Sequence, residues 1–219
     1  MNKVLALLMV LLAASSCSNT QSKAAKSQAV LGDTISYEGV KEKSFGELFR
    51  QISPEDIDRN IIGLAQKEFI VITAGRESHY NAMVASDGGI GALMGKPVTF
   101  CGLRGSRYTL EIILKDSVYT FTFFDERFKG DFMIFGQQSG RDSQKMQQTS
   151  LTAVATPSGK VTFKEAKIVI ECKLAQTHTV NPEEVYAEHN RKFYADAYRE
   201  VGSWHKIVFG DITAVWVRK

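Results

Sequence analysis

The stretch SHYNAMVASDGGIGALMGKP, Ser78 to Pro97, limits the possible folds more than any other part of the chain. Four glycines, Gly88, Gly89, Gly91 and Gly95, fall within eight residues, and small residues fill most of the gaps. A segment this poor in bulk cannot build a core of its own. Its backbone must bend sharply or lie close against something else. The run before it, EFIVITAG, is β-branched and aromatic and ends on Gly75, so it reads as a strand. The run after it, PVTFCGL, reads as another.

Further strands are expected at SVYTFTFFD, at KVTFKEAKIVIECKLAQTHTV as two strands with a bend, and at WHKIVFGDITAVWVRK. Helices are inserted between them. KSFGELFRQI predicts a short one. Ser53-Pro54-Glu55-Asp56 supplies a cap, a Pro at N1 and an acid, which predicts a helix through about Leu64. Ser106 is placed to cap a helix in GSRYTLEIILKD. ERFKGDFMIFGQQ and SGRDSQKMQQT predict two more, and Asn181-Pro182-Glu183-Glu184 caps another through about Arg199. This spacing lacks the regular βαβ alternation of a doubly wound sheet. It points to a mainly β (α+β) fold, an antiparallel sheet or small barrel with helical insertions.

The 219 residues suffice for one sizeable domain or two small ones. The 44% hydrophobic and 23% charged residues are those of a globular chain, and +3 with interspersed signs predicts no nucleic-acid partner. The first residues, MNKVLALLMVLLAASSC, carry one Lys, an apolar run too short to span a membrane, and small residues. Ala14-Ser15-Ser16-Cys17 resembles a bacterial lipobox, with Ala14 where Leu is usual. The expectation is a signal peptide over 1–16, lipidation at Cys17, a flexible tether over 17–30, and a folded domain over 31–219 in an exported, membrane-anchored protein. Cys101 and Cys172 sit in apolar strand-like runs, so free buried thiols are expected rather than a disulfide. No CxxC or His spacing predicts a metal.

The glycines match neither phosphate-binding loop. A P-loop would need Gly at Ile90 and Ser or Thr at Pro97, and a dinucleotide fingerprint would need Gly at Met94. No nucleophile elbow surrounds Ser106. The acids fall mostly beside basic residues on helices and read as solvated faces. What stands out is polar: Asn81 and Ser86 beside the glycines, Arg104, Arg107 and Thr109 at one helix start, and Ser139, Gly140, Arg141 and Lys145 at another. Two readings fit these, a phosphate site and ordinary capping with surface charge.

Taken in order, ITAGRESHYNAMVASDGGIGALMGKPV, GLRGSRYTLEII, YTFTFFDERFKG, GQQSGRDSQKMQQTSLT, FKEAKIVIECK and WHKIVFGDI resemble the flavin reductase-like family of FMN-binding split barrels, nearest its flavoredoxin-like branch. The resemblance runs from about Ile52 to the C-terminus. It implies a six-stranded antiparallel Greek-key split β-barrel with helical insertions, a homodimer with FMN at the interface, and oxidoreductase activity of the flavin reductase type with NAD(P)H; the alternatives are a membrane-tethered FMN electron carrier served by a redox partner protein, and a split barrel that has lost the cofactor and acts as a binding module. It implies cofactor contacts at Asn81, Ala82, Met83, Val84, Ala85 and Ser86, at Arg107, Tyr108 and Thr109, and at Ser139, Arg141 and Lys145. It places His205 on the substrate side, beside the plainer reading of a satisfied sheet histidine. Family members usually read Asn-x-Met-Thr-Ala-Ser-Trp-Gly here, whereas this chain has Val84 for Thr and Asp87 for Trp. Loss of the Thr hydroxyl at a cofactor contact costs on the order of 1 kcal/mol. Asp87 either repels a phosphate or turns outward in an Asx turn. A flavin carries its own redox chemistry, which accounts for the lack of an acid–base constellation.

Overall fold

The computed structural model describes residues 43–219 apart from 68, 142 and 198–203. The expected signal peptide, lipidated Cys17, tether and first residues of the domain lie outside the described residues.

The elements follow in the order α1 (Phe45–Leu48), β1 (Phe49–Ile52), α2 (Ile61–Lys67), β2 (Ile70–Arg76), β3 (His79–Ala85), β4 (Gly88–Leu93) and β5 (Lys96–Arg104). Then come α3 (Tyr108–Asp116), β6 (Val118–Phe123), α4 (Lys129–Gln137), β7 (Ala153–Ala155), β8 (Val161–Phe163), β9 (Ile168–Thr179), α5 (Glu188–Ala197) and β10 (His205–Arg218). One sheet of eight strands runs β3-β2-β6-β9-β10-β5-β4, with β1 also on β10, and β7 pairs β8 apart from it. Every pairing is antiparallel. This is the split-barrel architecture that the resemblance implies, with eight strands in the main sheet where six were expected. Both sheet ends fall in the opening stretch: β3 and β4 are joined by the Ser86–Asp87 bend, and neither has a second strand partner among the described residues.

Alternation along the strands feeds two cores. Ile70, Ile72 and Ala74 of β2 face a core with Leu103, Ile113, Phe121, Phe123 and Ile170. Val71 faces an aromatic core of Phe45, Phe49, Phe124, Phe132, Phe135 and Phe163. Burial on both faces is why β2 reads as an unbroken apolar run. Fully buried rings such as Phe121 and Phe123 contribute about 1.5–3 kcal/mol each.

The quoted stretch is two strands and a turn. The β4–β5 connection turns at Met94 and Gly95, both at positive φ (50° and 75°), as a tight hairpin requires. Gly88 and Gly89 lie flat on β5. A Cβ on Gly88 would stand 2.6 Å from the Phe100 carbonyl oxygen, and one on Gly89 would stand 3.0 Å from the Phe100 ring. The close approach demanded by the glycines is therefore largely to the chain's own neighbouring strand.

Several expected helices are shorter than the sequence suggests. KSFGELFRQI divides between α1 and β1, because Phe49 pairs in the sheet. Pro54–Asp56 forms only a 3-10 turn, Ser53 makes no side-chain cap, and α2 begins separately at Ile61. Arg107, not Ser106, occupies the N-cap of α3. SGRDSQKMQQT yields only the 3-10 turn Lys145–Gln148, and Asn181 caps a 3-10 turn ahead of α5. Cys101 and Cys172 are both free and fully buried.

Candidate functional site

Strand β3 presents alternate side chains to opposite faces. Ala82 and Val84 turn toward the aromatic core, whereas Met83 and Ala85 join the barrel core. Val84 therefore sits where a methyl suits its surroundings, on the face opposite Asn81. Asn81 is buried, and its Nδ2 donates to the Thr109 hydroxyl at 2.7 Å. Gly140 closes on the same amide: a Cβ there would lie 2.1 Å from Asn81 Oδ1. Three segments separated widely in sequence thus meet at one buried amide.

Arg141 holds the 139–141 segment against the start of α3. Its Nη1 donates to the Ser106 carbonyl at 3.0 Å, its other nitrogen pairs with Glu111, and its guanidinium lies 5.3 Å from the centre of the Tyr108 ring. Tyr108 in turn shares a 2.8 Å hydrogen bond with His79 Nε2. Ser139 accepts from the Arg141 backbone N–H through Oγ and from Ser143 through its carbonyl.

Two cations gather at the end of α4. Lys145 is 2% exposed and donates to the Phe135 and Gln138 carbonyls at 3.3 and 3.1 Å. Arg107 Nη1 donates to the Gly136 carbonyl at 3.4 Å. The negative end of a helix suits one cation, worth about half a unit charge. Here there are two, and the positive charge is in excess. Burial, reinforced by the neighbouring Arg107, pulls the Lys145 ammonium down to about 8, and burial with Arg104 lowers Arg107. No carboxylate among the described residues bonds to Lys145 or Arg107. An anion beside them relieves both effects.

Ser86 and Asp87 are exposed in the bend after β3. Among the described residues no side-chain hydrogen bond closes the expected Asx turn at Asp87, which is exposed. Its carbonyl accepts from the Gly102 N–H at 2.9 Å, and its charge acts on His205 and Tyr194. His205, at the start of β10, is 8% exposed and pairs in register with Arg104. The rings of Tyr194 and Phe193 on α5 lie 5.8 and 6.2 Å from it. Burial and Arg104 lower the His205 pKa, against Asp87.

The structure therefore brings Asn81, Thr109, Arg107, Tyr108, Ser139, Arg141 and Lys145 together. Ala82 and Val84 face away on the same strand, Ser86 lies beyond its end, and His205 lies toward Arg104. Sequence reasoning did not single out His79, Glu111, Gly136 or Tyr194. Each enters through a contact made across the fold, and local pattern carries no sign of it.

This arrangement can be set beside known proteins. No curated protein matches the chain significantly in sequence. Among solved structures, it resembles an FMN-binding protein from Thermus thermophilus with bound 1-cyclohex-2-enone (TM-score 0.53, 20% identity, 68% of this chain and 70% of that one). It also resembles an FMN-binding domain of a flavin reductase-like enzyme from Shewanella baltica (0.53, 13%, 77% and 76%) and a flavoredoxin from Methanosarcina acetivorans (0.51, 16%, 68% and 68%). At these identities the likeness speaks for the fold. The sequence profile of the flavin reductase-like domain matches residues 64–219, which takes in β2 to β10 and every residue of the Asn81–Thr109–Gly140 junction. With its split barrel and this match over most of its length, the chain belongs to the flavin reductase-like family.

Proposed function

We propose that the protein binds FMN and moves hydride or electrons through it. The observation that carries this reading is the Asn81–Thr109–Gly140 junction with two cations, the buried Lys145 and the half-buried Arg107, close to it in the chain and at the α4 terminus. The donor set suits a phosphate: a hydroxyl, an ammonium and a guanidinium, with no carboxylate bonded to Lys145 among the described residues. The edge of β3, which has no second strand partner among the described residues, offers main-chain groups to a flat ring. Val84 does not weigh against this, because its side chain faces the aromatic core. When bound, the flavin supplies the redox chemistry. The chain holds the phosphate, orients the ring and limits water around it.

A homodimer with the cofactor at its interface belongs to this reading. The β4–β5–β10 face supports it: Phe100 is 38% exposed and pairs with Phe209, and Gly91 leaves open space beside them. The lipobox-like Cys17 supports attachment to a membrane outside the cytoplasm. There, reduced nicotinamides are not the ordinary supply, which favours a tethered electron carrier fed by a protein donor. The NAD(P)H-dependent reductase is the competing form.

The purified protein, mixed with FMN and freed of excess, should keep a flavin absorbance band. Anaerobic titration then separates the two forms. Rapid bleaching by NADH or NADPH identifies the reductase. Bleaching by dithionite alone identifies the carrier. A colourless protein with no FMN uptake refutes both.

A further inference from the structure

Among the described residues, Arg141 is the one cation of the candidate site that is bonded to a carboxylate. Its Nη2 pairs with Glu111 on α3, and its Nη1 donates to the Ser106 carbonyl at 3.0 Å. Both terminal nitrogens of the planar fork are thus engaged at the start of α3. The guanidinium also lies 5.3 Å from the centre of the Tyr108 ring. Lys145 and Arg107 differ. Neither bonds a carboxylate among the described residues, and both hold carbonyls at the end of α4. The three cations divide into two that can turn to an anion and one that is committed elsewhere.

This commitment has a mechanical consequence. Gly140, next to Arg141, lies so close to the Asn81 amide that no Cβ fits between them. The segment around it folds on itself: Ser139 Oγ accepts from the Arg141 N–H, and the Ser139 carbonyl accepts from the Ser143 hydroxyl. Arg141 ties that segment to α3. The tie reaches β3 as well. The Tyr108 hydroxyl shares a 2.8 Å hydrogen bond with His79 Nε2, and His79 precedes Asn81 on the same face of the strand. Drawing Arg141 toward α3 presses Gly140 against Asn81 and so holds the Asn81–Thr109 bond.

We propose that Glu111 and Arg141 form a clasp that positions the Asn81–Thr109–Gly140 junction for FMN, and that Arg141 acts through this clasp and not as a phosphate ligand. The inference rests on the FMN reading above. Glu111 is a positioning residue, acting only through Arg141. A carboxylate beside an anion site repels the anion unless its charge is matched, and Arg141 matches it. The side chains of Arg141 and Glu111 are 39% and 54% exposed, so the pair adds little to global stability. What it fixes is the place of Gly140.

FMN titration of the full chain, read by fluorescence quenching, tests the clasp. Glu111→Gln keeps the size and loses the charge, and should weaken FMN binding about threefold. Arg141→Gln also loses the carbonyl bond and the ring contact, and should weaken it about tenfold. The double variant should bind no worse than Arg141→Gln alone. Arg141→Lys keeps the charge but loses the fork, and should stay at least about fivefold weak. The melting temperature of Glu111→Gln without FMN should fall by less than about 4 °C. A direct phosphate contact by Arg141 gives the opposite pattern. Glu111→Gln then frees the guanidinium and tightens binding, and Arg141→Lys keeps most of the affinity. Either result overturns the clasp, while FMN binding by wild type in the same titrations upholds the cofactor reading. Losses that add in the double variant, or that only follow the melting temperature, overturn it too. A wild-type protein that binds no FMN removes the reading and the inference together.

Discussion

The Asn81 side chain on β3 donates to the Thr109 hydroxyl on α3 at 2.7 Å, with both residues buried and 28 positions of chain between them. Gly140 completes the contact, since a Cβ at that position would overlap the Asn81 amide. Gly140→Ala should therefore push Asn81 off Thr109. Overpacking of this kind costs about 1–3 kcal/mol. The expected outcome is a lower melting temperature together with at least tenfold weaker FMN binding by fluorescence quenching. Thr109→Val removes the hydroxyl at nearly constant volume and should weaken FMN binding with a smaller loss of stability. Unchanged FMN affinity in both variants would detach the junction from the cofactor site.

Lys145 ties FMN affinity to pH. Its folded pKa, about 8, lies below the ordinary 10.5, because burial and Arg107 disfavour the ammonium. For the empty protein the sign is as follows. Between about 8 and 10.5 the unfolded chain holds this proton and the folded chain does not, so stability rises with pH across that window. A bound phosphate reverses the preference by favouring the ammonium. FMN affinity should accordingly fall as pH rises through 8 and above, by tenfold or more, given about 1.5–3 kcal/mol for a charge-assisted hydrogen bond. Lys145→Met should bind FMN weakly with a flat profile, and should melt no lower than wild type at pH 7 without cofactor. Isothermal titration across pH 6.5–9.5 is the measurement, and the range is chosen to bracket the value of about 8.

How much of this was legible in the sequence depends on the range of the interaction. β2, β5, β6, β9 and β10 were readable because alternation and β-branching are local and their burial is strong. The glycines announced a close approach, but the partner, Phe100, is visible only in the β4–β5 pairing. Pro54 and Ser106 read as helix starts from local chemistry. The sheet claims Phe49 and Ile52, and Arg107 takes the cap of α3, so tertiary pairing overrode the local signal. Arg107 and Lys145 were legible as cations near a polar cluster. Their shared attachment to the end of α4 was not, because a carbonyl that accepts a long-range bond leaves no mark in sequence.

A buried ion pair away from the site fixes the β7–β8 flap. Glu171 on β9 is 1% exposed and accepts from Lys160 Nζ and Trp216 Nε1, each at 2.8 Å, and from Ser158. Burial works to raise its pKa, and the hydrogen bonds from Lys160, Ser158 and Trp216 outweigh it, leaving the carboxyl below its ordinary value. Glu171→Gln leaves Lys160 uncompensated and should cost about 3–5 kcal/mol, whereas Glu171→Leu with Lys160→Met should recover much of that loss. A depressed carboxyl contributes stability above its unfolded pKa and loses it as pH falls through the folded one. Wild type should therefore lose stability below about pH 4.5, and the double variant should lose less over the same range. Urea midpoints at pH 7 and pH 3.5 test both statements.

The outer face of β4, β5 and β10 tests the dimer. Phe100 and Phe209 face each other across the strands with ring centres 6.2 Å apart, and His178 packs edge-on against Phe209 at 6.0 Å. The glycine strand β4 lies beside them, with Gly89 under the Phe100 ring and open space at Gly91. A second copy laid on this face would meet aromatic rings and bare backbone, which allow close packing. Gly91→Arg fills the open space with a long cation and should leave the barrel folded, since nothing lies within 4 Å of the added Cβ. Light scattering should then report a monomer where wild type gives twice the mass. If the cofactor needs both copies, FMN binding should fall together with the dimer, at least tenfold at micromolar protein. A Gly91→Arg protein that stays dimeric would move the interface elsewhere. A monomer that still binds FMN as wild type does would place the whole cofactor site within one chain.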